Sequence, residues 1–77
     1  APAAAPDPGS ACGRALACCR AYAEAVPNVV ADSACAGPAE VADRPDADAR
    51  CRAMAAGWRE TLALLPDVDP PEACGAP

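Results

Sequence analysis

The chain has 77 residues and no His, and its 11 acidic against 6 basic residues give a formal net charge of −5. That length suits one domain near the size at which a hydrophobic core alone becomes marginal, and no apolar run approaches the ~20 residues of a membrane-spanning helix. All six basic residues are Arg and none cluster along the chain, so a nucleic-acid partner, which needs a basic face, is not expected.

Residues 1–10 are rich in Ala and Pro and read as a disordered tail or linker, since closely spaced prolines remove backbone donors and favour extended chain. Residues 11–77 are read as a helical, disulfide-rich domain. Ser10 is an N-cap candidate for a helix from about Ala11 to Val26, stopped by Pro27. Cys12, Leu16, Cys19, Ala23 and Val26 share one face of it, with Ala15 and Tyr22 at the edge and Cys18 sideways. A second, short helix is expected between Pro27 and Gly37, with Gly37 closing it and Pro38 preventing continuation; Asn28 and Asp32–Ser33 equally suit a turn-rich loop there. Residues 38–45 read as connection. A third helix should begin near Asp46 or Asp48, where carboxylates complement the helix dipole, and end at Leu65 before Pro66. Its apolar stripe is Cys51, Met54, Ala55, Trp58, Leu62 and Leu65. The expected fold is therefore all-α: two longer antiparallel helices, a short middle helix, and a Pro- and acid-rich tail held by Cys74.

Val, Leu, Ile and Phe together number nine, against twenty-three Ala. Alanine favours helix but buries little area, so apolar burial alone leaves this fold short of stability. Six cysteines in so short a chain supply the remedy, a framework of three disulfides formed in an oxidising compartment, secreted or periplasmic. The first residue is Ala, which is read as a chain freed of a signal peptide or a domain cut from a larger protein. A metal site is not expected, because there is no His and no Cys-x-x-Cys pair. Six cysteines admit fifteen connectivities. An antiparallel helix pair ranks Cys19–Cys51 as the central staple, with Cys12–Cys74 and Cys18–Cys35; the second choice is Cys18–Cys51 with Cys19–Cys35.

Without His, Ser-His-Asp and Cys-His arrangements are impossible within the chain, no Gly-rich phosphate loop is present, and no cofactor is expected. The acidic groups around Asp46 and Glu72 lack the ordered ligand spacing of a calcium loop and read as dipole complement and solubilising charge. Trp58 lies on the core stripe, whereas Leu64 falls off it beside Ala53 and Gly57. Those four residues mark either further core, receiving Val29, Val30 or Val41, or a shallow apolar groove. The adjacent Cys18–Cys19 on a helix resembles the plant lipid-transfer proteins and the related seed albumins and inhibitors. Those families carry eight cysteines and a Cys-x-Cys motif, both missing here, so no ligand residues are carried over. The function expected is a non-catalytic interaction module with a protein partner, the alternative being a small carrier that binds an apolar ligand or lipid between its helices.

Overall fold

The computed structural model describes residues 6–75. Their elements in chain order are α1 (Ala11–Ala25), α2 (Ala31–Ala34), α3 (Gly37–Val41), α4 (Ala47–Ala63) and a 3₁₀ turn at Glu72–Cys74. Together with the three disulfides they make a small all-α, disulfide-stabilised domain. The first five residues of the Pro/Ala-rich tail lie outside the described chain. Asp7–Ser10 form a turn against α1, in which the Ser10 amide and hydroxyl both donate to the Asp7 carbonyl at 2.9 and 2.6 Å.

Ser10 caps α1, its Oγ accepting from the Gly13 amide at 3.0 Å. That bond satisfies one of the donors a helix N-terminus leaves unpaired. Gly13 is buried under the turn, where a Cβ would collide with the Asp7 carbonyl. The helix closes at Val26, and the chain turns through Pro27 and Asn28, whose φ of 68° is a left-handed conformation that Asn tolerates better than most residues. The middle segment holds two short helices rather than one. Pro38, expected to stop a helix, instead occupies the first turn of α3, where its missing N–H costs nothing. α4 starts after Asp46, whose carboxylate makes no cap but accepts from Arg50 Nε at 2.6 Å.

The two long helices do not run antiparallel. Cys12 in the first turn of α1 is bonded to Cys51 in the second turn of α4, with Cα atoms 4.9 Å apart. Further along both helices, Cys18 Sγ lies 3.7 Å from the Ala55 carbonyl. Contacts that advance together along both chains mean that α1 and α4 point the same way. Residues 26–46 carry the chain back to the starting end between them, and on this return Cys35 is bonded to Cys19 and the Pro38 carbonyl lies 3.9 Å from Cys51 Sγ.

All three first-choice cysteine pairings are overturned with that orientation. The bridges are Cys12–Cys51, Cys18–Cys74 and Cys19–Cys35; the last occurs in the second-choice set, but its companion Cys18–Cys51 does not. In a parallel pair Cys51 meets the start of α1, which is Cys12, and Cys19 is too far along to reach it. The neighbours Cys18 and Cys19 are about 100° apart around the helix. They therefore serve different elements, Cys18 the C-terminal turn and Cys19 the returning segment.

The bridges also constitute the core. Six of the buried apolar residues among those described are the cysteines; Ala15, Pro38, Ala47, Ala55 and Leu62 join them. Tyr22, Val41, Trp58, Leu65 and Val68 pack around it, partly buried. Cys18, expected to face sideways, is fully buried, while Leu16 and Ala23 of the expected stripe are only partly so. With covalently joined sulfurs at its centre, the interior needs few large side chains.

Candidate functional site: an arginine-lined depression

The anchoring of Cys74 on Cys18 folds the C-terminal turn across the groove between α1 and α4. A depression of about 380 Å³ results, walled by Ala11 and Arg14 of α1, by Arg52, Ala55, Ala56 and Arg59 of α4, and by Gly9 and Ala73–Gly75. Helical spacing builds the α4 wall. Arg52 and Arg59 are seven residues apart, so they share a face at a separation of about 10 Å, and Ala55 and Ala56 lie between them on that face. Two methyl side chains leave a hollow where longer ones would fill it. Arg14 enters from α1, so half of the chain's arginines line one concavity.

None of the three forms an ion pair within the described residues. The ion pair formed there is Arg50–Asp46 at 2.6 Å, outside the depression. Arg14 and Arg59 have no carboxylate at the three- or four-residue positions of their own helices. Asp48, four residues before Arg52, does not come within ion-pair distance of it. Asp7 borders the N-terminal wall, but its Oδ1 accepts from the Gly9 amide at 2.9 Å. The hydrogen bond from Arg50, reinforced by its positive charge, holds the Asp46 carboxyl below its ordinary value. A second, wider hollow of about 460 Å³ at the start of α4 is lined by Arg44, Asp46, Asp48 and Arg52 among others, so cations and carboxylates balance there.

The residues singled out from sequence lie elsewhere. Trp58 is half-buried and packs on the core. Leu64 forms the C-cap of α4 and is 84 % exposed. Ala53 is exposed, and no atom from outside its own helical backbone lies within 4 Å of where a Gly57 Cβ would stand. None of the four lines either depression. Of the valines considered as their neighbours, Val41 packs on the core while Val30 is 64 % exposed.

No family model matches the chain, and no curated protein or solved structure is detectably similar to it. The chemistry of the depression must therefore be read from its own lining. Guanidinium groups stay protonated at all physiological pH and only donate hydrogen bonds, alanine and glycine carry no side-chain chemistry, and Cys74 is held in its disulfide. The lining can attract, orient and hold an anion. It contains no side chain able to exchange a proton near neutral pH or to attack as a nucleophile. The three intramolecular disulfides fit an oxidising compartment, and among the described residues no helix is long and apolar enough to cross a membrane.

Proposed function

We propose that this chain is a non-catalytic, secreted or periplasmic binding module that contacts its partner through the face formed by α1, α4 and the C-terminal turn. The observation that carries this reading is the depression itself, three arginines that form no ion pair around an alanine floor, with no acid, base or nucleophile in the lining. The cystine core supports it, because a surface fixed by covalent links loses little conformational entropy when a partner binds. The alternative, a carrier of an apolar ligand, calls for an enclosed apolar space. An open hollow with three arginines among its ten lining residues favours the first reading.

The test is a ¹⁵N-resolved NMR titration of the oxidised protein with three probe classes: small anions, an acidic peptide and a fatty acid. Saturable shifts confined to the α1–α4–turn face, with every probe recovered unchanged, are the expected result. Binding of the fatty acid alone, with shifts centred on Trp58 and Leu62, would transfer support to the carrier. Chemical turnover of any probe would remove the non-catalytic reading.

A further inference from the structure

We infer that the depression is a site for a phosphate monoester carried on a compact apolar body. This deepens the binding-module reading and rests on it. Arg52 and Arg59 stand about 10 Å apart on one face of α4, and an extended arginine side chain reaches most of that distance, so both can converge on an anion lying over Ala55 and Ala56. Arg14 approaches the same space from α1, and Ala73–Gly75 closes it on the side fixed by the Cys18–Cys74 bridge. Three guanidiniums and no carboxylate line the hollow, in a chain whose overall charge is −5, and this lining sets up a positive local field; Arg52 also borders the second hollow, beside Asp46 and Asp48. The field draws an anion to this place.

The charge of the occupant follows from the three guanidiniums. A phosphate monoester is largely a dianion at neutral pH and offers three acceptor oxygens, and guanidinium forks match phosphate geometry with paired hydrogen bonds. A sulfate ester, with one negative charge, compensates the cluster less. The floor defines the rest of the ligand. Ala11, Ala55, Ala56 and Ala73 present methyl groups, and a hollow of about 380 Å³ lies at the small end of ligand-site volumes, room for a ring or short chain rather than a polymer.

The experiment titrates the ¹⁵N-labelled, fully oxidised chain with phenyl phosphate, phenyl sulfate, inorganic phosphate and phenol, and repeats the first titration on Arg59→Gln, Arg14→Gln and Arg50→Gln. Phenyl phosphate should bind saturably, shifting the amides of Ala55, Ala56, Ala73 and Gly75, and more tightly than the other three probes. Arg59→Gln and Arg14→Gln should each weaken it by roughly fivefold or more, as loss of a charge-assisted contact requires, while Arg50→Gln, outside the depression, leaves it unchanged. All three variants keep the disulfides, and their far-ultraviolet spectra should match the parent's. Unsaturable shifts, an Arg59→Gln affinity equal to the parent's, or equal binding of phenyl sulfate or inorganic phosphate would each overturn the inference. Saturable binding of an acidic peptide on another face, with phenyl phosphate inert, would sink this site and leave the binding-module reading standing. Inertness of every probe would count against both.

Discussion

Leu62 and Leu64 stand two residues apart, yet one is fully buried and the other 84 % exposed. Leu62→Ala removes three carbons from the interior. At about 0.8 kcal/mol each the transfer loss is about 2.4 kcal/mol, and the residual cavity raises it toward the ~5 kcal/mol upper end measured for such changes. The cluster that holds Leu62 has no other buried Leu, Ile or Phe to move into the space, only cystines and alanines with partly buried side chains around them. We therefore expect a loss of about 3–4 kcal/mol for Leu62→Ala and less than about 0.5 kcal/mol for Leu64→Ala. Urea unfolding with disulfides intact, followed by fluorescence of the single Trp58, measures both. With a slope near 1 kcal/mol/M, at the low end of the range for small proteins, the Leu62 variant's midpoint should fall by about 3 M. Equal midpoints for the two variants would refute the assignment of Leu62 to the core and the burial argument built on it.

The glycines of the two long helices should respond in opposite directions. Gly13→Ala drives a methyl into the Asp7 backbone and should destabilise by about 1–3 kcal/mol in the same urea assay, as overpacking does. Gly57→Ala meets open space on an exposed helical face and should stabilise by about 0.5–1 kcal/mol. Replacing both Cys18 and Cys74 by Ala releases a loop spanning 56 residues, for which loop entropy predicts a loss of about 4 kcal/mol at most, together with faster proteolysis of the C-terminal tail. Asp46 titrates below its ordinary 3.8 in the folded chain because Arg50 bonds its carboxylate. Its contribution is thus present above pH 3.8 and vanishes as pH falls through the lower folded value. Asp46→Asn should be slightly less stable than the parent at pH 7, with the difference shrinking as pH falls below 3.8, by thermal melts across that range; both groups are exposed, so the difference is small.

Much of the helical framework was legible because its signals are local. Ser10 and Pro27 bracket α1, and Asp46 and Pro66 bracket α4, signals that lie within a few residues of the helix ends they mark, although Asp46 bonds Arg50 rather than the backbone. Pro38 misled because a proline that ends one helix can equally begin the next. Helix direction was not local. Short connections impose antiparallel neighbours, but the 26–46 connection between α1 and α4 is long enough to return the chain to its starting end. Once direction is inverted, the cysteine ranking inverts with it. The arginine site was only half visible: the seven-residue spacing of Arg52 and Arg59 across two alanines is a one-face pattern in the sequence, whereas Arg14 joins it only through the packing of α1 on α4.

The cystine map tests the central claim, a parallel helix pair whose bridges form the core and fix the C-terminal turn that walls the depression. Complete cleavage after arginine of the non-reduced chain, sparing the Arg44–Pro45 bond, yields cysteine peptides 1–14, 15–20, 21–50, 51–52 and 60–77. The structure predicts that 1–14 emerges joined to the dipeptide 51–52 through Cys12–Cys51, apart from a three-chain species of 15–20, 21–50 and 60–77. Fragmentation of that species between Cys18 and Cys19 should place 60–77 on Cys18 and 21–50 on Cys19. Recovery of 1–14 joined to 60–77 would instead require a Cys12–Cys74 bridge and would contradict the parallel arrangement.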